Sequence, residues 1–99
     1  MPKRSSPSST QKANRRPEPS RIRRDRLVRN ACIAAGNSGQ AGLSEHLIPL
    51  VDDHSPLVRG HAAWALGRLG EGSDVLNERL TVEADEDVRR ELALALGGE

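Results

Sequence analysis

Three histidines, one cysteine and two runs of carboxylates are the residues of this chain whose types suggest chemistry. His46 and His54 stand eight positions apart with Pro49 between them, so they do not form a two-histidine zinc face. With His61 they read as surface or loop residues, and no metal is expected. Asp52-Asp53 and Asp85-Glu86-Asp87 invite a paired-carboxylate, acid–base reading. Both runs directly precede a helix start, where capping and the helix dipole account for them. Cys32 is the single cysteine, so it forms no internal disulfide and does not by itself hold zinc or an iron–sulfur cluster. It reads as a small core residue in an alanine-rich helix, not as a nucleophile. Gly36, Gly39, Gly67, Gly70, Gly97 and Gly98 recur at helix ends, as C-caps do, and not at the spacing of a phosphate-cradling loop. No catalytic constellation and no cofactor follow from these residues.

The arginines carry a stronger signal. Arg21, Arg23, Arg24, Arg26 and Arg29 lie within nine residues, and Lys3, Arg4, Lys12, Arg15 and Arg16 extend them upstream. Arginine at this density neutralises phosphates and gains affinity by releasing counterions. A solubilising tail is the plainer alternative; segregation of the charge to one end and the dominance of arginine favour nucleic acid. Trp64 is the lone aromatic, so phosphate and shape recognition, not base stacking, is the expected mode.

The frame that must position these residues is small. Of 99 residues, 35% are hydrophobic and 1% aromatic, thin material for the core of a deep-pocketed enzyme. The formal net charge of +1 hides an asymmetry. Residues 1–29 hold ten Lys/Arg against Glu18 and Asp25, a net of +8, whereas residues 30–99 hold five Arg against twelve Asp/Glu, a net of −7. A basic arm is joined to an acidic body. No apolar run approaches the roughly 18 residues of a membrane span, and no signal-peptide pattern follows the basic start. A cytoplasmic protein without membrane contact is expected. Residues 1–20 are rich in Ser, Pro and Arg with almost nothing apolar, the composition of a disordered arm.

From about Arg21 helical spacing takes over, and the pattern repeats. Arg29 to Gly39 aligns with Gly60 to Gly70 at an offset of 31, and Asp87 to Gly97 aligns with Leu57 to Gly67 at an offset of 30. Such periods signal a stack of helix pairs, none of which buries its apolar face alone. The spacing predicts a helix over 24–35 and a second over 43–51 that Pro49 must kink or shorten. A third starts at the Ser55 cap and Pro56 and stops at Gly70; a fourth begins near a Ser73 cap; a fifth runs from the Asp85 cap to Gly97. The expected fold is therefore all-α: a domain over 21–99 with units at about 24–51, 55–82 and 85–97, the last incomplete. Val28-Arg29, Val58-Arg59 and Val88-Arg89 put an arginine in the first turn or two of each unit's first helix. Stacking could align these arginines into a ridge that tracks a phosphate backbone, or could pair them with Asp52, Asp53, Asp85 or Asp87 of a neighbouring unit.

The segment from Asp52 to Gly70, with Gly60-His61-Ala62-Ala63-Trp64-Ala65-Leu66-Gly67 at its centre, resembles the HEAT-like repeat at the C-terminal end of epoxyqueuosine reductase. Arg29 to Gly39 resembles the preceding repeat of that tail, and Pro19 to Arg24 is similar to the arginine-rich joint before it. That family reduces epoxyqueuosine in the wobble position of tRNA with cobalamin and two [4Fe–4S] clusters. One cysteine does not supply such clusters, so the resemblance implies a short non-catalytic HEAT-like array, a detached tRNA-binding tail, a split-gene remnant or the product of a misplaced start codon, and not a reductase. The expected partner is tRNA, with a separately encoded reductase or another protein beside it. It carries over Arg29, Asn30, Arg59, His61 and Arg68 as RNA-facing positions, with Trp64 packed between helices. The alternatives are a scaffold that docks another subunit through its incomplete last unit, or a truncated product without function.

Overall fold

A computed structural model of the chain describes residues 19–97; the basic arm expected over 1–20 lies outside them except for Pro19 and Ser20. Five α-helices and no strand occur among the described residues: α1 (Ser20–Ser38), α2 (Ser44–Leu47), α3 (Pro56–Leu69), α4 (Ser73–Val82) and α5 (Glu86–Ala95). The all-α repeat architecture read from the sequence is the one observed. Short 3-10 segments, Ala41–Leu43 and Ile48–Asp52, flank α2. Pro49 has done what its missing N–H requires, cutting the second helix to little more than one turn.

Local signals set most of the helix ends. Ser55 Oγ accepts the Val58 N–H, and the Asp85 carboxylate accepts the N–H groups of Asp87 and Val88. Gly70, at φ 70°, closes α3 by donating to the carbonyls of Leu66 and Gly67. Two expectations need correction. Gly72, at φ 73°, is the N-cap of α4, so Ser73 is the first helical residue and its hydroxyl caps nothing. Helix α1 covers 20–38, not 24–35, because Gly39 at φ 71° is its stop and Gly36 lies within it.

Gly36 and Gly67 have another task. A Cβ on Gly36 would stand 2.7 Å from Trp64 Cζ3 and 3.1 Å from Ala65 Cα; one on Gly67 would stand 2.8 Å from both Cα and Cβ of Ala95. The two glycines hold equivalent positions, 31 residues apart, and each lets the next unit's first helix approach its backbone. Helix α3 lies between α1 and α5 and buries Val58, Gly60, Ala62, Ala63, Ala65 and Leu66. Leu47, Val51 and Leu76 come up from the second layer to complete the core. Small residues on the helices and aliphatic ones beneath them are thus how a chain with one aromatic closes its interior.

Gly67→Ala is expected to destabilise the fold by about 1–3 kcal/mol in urea unfolding, since the added methyl meets backbone that has no rotamer to move. Gly42→Ala, which meets nothing within 4 Å, is expected to unfold within about 0.5 kcal/mol of the parent.

Candidate nucleic-acid interface

The arginines of α1 divide by helical phase. Arg23, Arg26 and Asn30 share one face at i, i+3 and i+7, and all three are exposed, as is Arg21. Neither the Arg21 nor the Arg23 side chain has a hydrogen bond or ion pair among the described residues. Arg24 points the other way. Its guanidinium holds Asp53 through Nη2–Oδ1 at 2.6 Å and Nη1–Oδ2 at 3.0 Å, and it also bonds Asp25 at 2.8 Å. Arg29 is half-buried and donates to the Asn30 side chain at 3.3 Å.

Arg59 is spent inside the fold. Its Nε and Nη2 donate to the two oxygens of Glu83 at 2.8 Å each, and its Nη1 donates to the Asp53 carbonyl at 2.9 Å. Arg89, the equivalent residue one unit on, makes the matching bond from Nη1 to the Glu83 carbonyl at 3.0 Å, and a second to the Leu80 carbonyl. Arg59 and Arg89 therefore form joints between units, whereas Arg29 bonds only its neighbour Asn30, and the three do not make an open ridge. Pairing with a neighbouring unit was the right alternative for Arg59, although its carboxylate partner is Glu83 and none of the four aspartates expected. Glu83 carries no motif. Only the offset of 30 that aligns it with Asp53 marks it: each accepts the N–H of the residue two positions on, which is the N-cap of the following helix.

On α3, His61 Nδ1 lies 2.9 Å from the Leu57 carbonyl, and exposed Arg68 lies over the Trp64 ring, 5.6 Å from its centroid. Trp64 is half-buried against Gly36 but also lines an open cleft of about 690 Å³, together with Ile33, Leu57, His61 and Glu91. Cys32 is fully buried, and burial pushes its thiol up to about 11, which keeps it an inert core residue. Asp25, Asp53 and His54 could bring three ligand atoms within 4.8 Å of one another, but Arg24 already bonds both carboxylates. No described helix is long and apolar enough to cross a membrane.

Stacked helix pairs joined at repeating arginine–carboxylate contacts define the class of protein, and comparison with known families agrees. The HEAT repeats pattern matches residues 23–97, and the chain belongs to that family. Over 69 residues, 67% of this chain, it is 40% identical to an uncharacterized protein in the gldA 3′ region of Geobacillus stearothermophilus, covering 32% of that protein. It is 36% identical, again over 69 residues, to the epoxyqueuosine reductases of Bacillus cereus and Bacillus anthracis, covering 18% of each. The similarity to epoxyqueuosine reductase read from the sequence is thus present, over a small part of the reductase. The chain spans less than a third of the length of these curated relatives. No solved structure matches it.

The joint at Glu83 has a thermodynamic signature. Burial pushes this carboxyl up, but bonds from Arg59, the Asp85 N–H and Arg79 together outweigh burial and bring it down to about 2. Asp53 is likewise lowered, chiefly by its bonds from Arg24. A carboxyl held below its unfolded value stabilises the fold above that value, here 4.5, and the contribution drains away as pH falls toward 2. For Glu83 it is on the order of 3 kcal/mol. Denaturant unfolding between pH 7 and pH 3 should show stability falling with acid, and Glu83→Gln should be less stable at pH 7 with a visibly flatter acid dependence.

Proposed function

We propose that this HEAT-repeat chain is a non-catalytic tRNA-binding module that works in the cytoplasm, in keeping with its similarity to part of epoxyqueuosine reductase. The observation that carries the reading is the solvent face of α1. Arg21 and Arg23 present guanidinium groups that no described carboxylate neutralises, with Arg26 and Asn30 on the same flank as Arg23. Arg29 borders that face; on α3, exposed Arg68 lies over the Trp64 ring and half-buried His61 lines the cleft. Arg24 and Arg59 are better assigned to the joints that hold the units together, because their donors already serve Asp53 and Glu83. Binding of this kind is phosphate-led and needs neither a cofactor nor a bound metal.

A second reading has an observation of its own. Arg89 reproduces the carbonyl half of the Arg59 joint and has no carboxylate partner among the described residues. A helical partner bearing an acidic residue would complete it, as Glu83 completes Arg59, and would make the last unit a docking edge.

Mobility shift with tRNA at low and raised salt tests the first reading. Binding at low salt that weakens steeply with added salt is expected, and Arg21→Glu with Arg23→Glu should lower the log–log salt slope by roughly 1 per arginine. Absence of binding at low salt, or binding indifferent to salt and to these substitutions, overturns it.

A further inference from the structure

The outward faces of α1, α3 and α5 stand in repeat register, and their chemistry changes from one row to the next. Arg26, Asn30 and Ile33 on α1 correspond to Leu57, His61 and Trp64 on α3, and these to Asp87, Glu91 and Leu94 on α5, at the offsets of 31 and 30. The first row is cationic and polar, the second apolar and aromatic, the third acidic. The open cleft includes the second row and the carboxylates of the third. Apolar surface is left uncovered: Leu57 in the cleft is 38% exposed, and Leu94, in register with Trp64 on α5, is 57% exposed.

The acidic wall is only partly neutralised. A Cβ on Gly60 would stand 3.8 Å from Glu91 Cγ, so the Glu91 stem lies over the α3 backbone, and its carboxylate has no hydrogen bond or ion pair among the described residues. Asp87 pairs with Arg90 at 3.2 Å, but both side chains are well exposed, at 86% and 66%, and such a pair contributes little. Asp85 is committed to the first N–H groups of α5. A phosphate entering here would meet like charge, so this surface is separate from the α1 face. A guanidinium or ammonium would meet the opposite sign beside an indole, and the Trp64 ring already accepts the Arg68 guanidinium.

We propose that the cleft docks a cationic peptide segment of a partner protein. A leucine-sized side chain rests on Leu57 and Trp64, and a neighbouring arginine or lysine reaches Asp87 and Glu91. The apolar contact supplies area and the carboxylates select sign, so an anionic segment of equal hydrophobicity is rejected.

Trp64 reports on this directly, because it is the only aromatic residue in the chain. The full chain is titrated with an acetylated hexapeptide of alternating leucine and arginine, and with its leucine–glutamate counterpart. A saturable change in Trp64 emission is expected with the first and none with the second. Asp87→Lys with Glu91→Lys should weaken binding at least about tenfold while far-UV circular dichroism keeps its helical form. Arg21→Glu with Arg23→Glu should leave peptide binding unchanged, which separates this site from the tRNA face. Unmoved emission, equal response to both peptides, or undiminished affinity in the Asp87→Lys, Glu91→Lys variant overturns the proposal.

Discussion

Close backbone approach at two glycines is the constraint on which the remaining structure depends. Gly36 admits Ala65 and the edge of Trp64; Gly67 admits Ala95. With one aromatic residue and a third of its composition apolar, this chain lacks the side-chain volume to fill wide gaps between helices. The alternative is to remove the gaps. Alanine and glycine on α1, α3 and α5 bring the helix axes together until small side chains suffice, and dispersion contacts between backbones take over part of the work usually done by bulky residues. The same closeness sets the reach of the joints. Arg59 spans from α3 to a carboxylate just before α5 with two bonds at 2.8 Å, a reach that needs the neighbouring unit drawn in close.

That dependence explains which parts of the fold the sequence disclosed. The repeat offsets, the caps at Ser55 and Asp85 and the αL stop at Gly70 are local or strictly periodic, so they are readable without knowing what touches what. Gly36 was ambiguous for a physical reason. A glycine near a helix end serves either as a left-handed cap or as a point of close approach, and only the partner helix tells which. Gly39 three positions on was an equally good cap, and it is the one used, at φ 71°. Ser73 failed as a cap for a related reason: Gly72 takes the left-handed conformation before it, so the helix has already begun.

The site was harder to read than the fold because one residue type has several fates here. Arg21 and Arg23 face solvent, Arg24 and Arg59 are locked to carboxylates of the next unit, and Arg89 makes only the carbonyl half of the same joint. Composition counts all of them alike. A helical-wheel argument separates Arg23 from Arg24, since neighbours in sequence project about 100° apart. It does not reveal that Asp53 waits opposite Arg24, or that Glu83 waits opposite Arg59. Those partners lie 29 and 24 residues away, and only the repeat symmetry brings Asp53 and Glu83 into equivalence.

The formal net charge of +1 is consequently a poor guide to what this molecule attracts. Helices in contact lie about 8–10 Å apart, so α1 and α5, on opposite sides of α3, are separated by roughly twice that distance. The Debye length at physiological ionic strength is about 8 Å, so the positive field of α1 is largely screened where the carboxylates of α5 stand. A partner approaching either edge therefore senses a local sign and not the sum. The two proposed surfaces, a cationic edge for a polyanion and an acidic edge for a cationic segment, therefore do not share one field. The row of Leu57, His61 and Trp64 on α3 lies between the two edges.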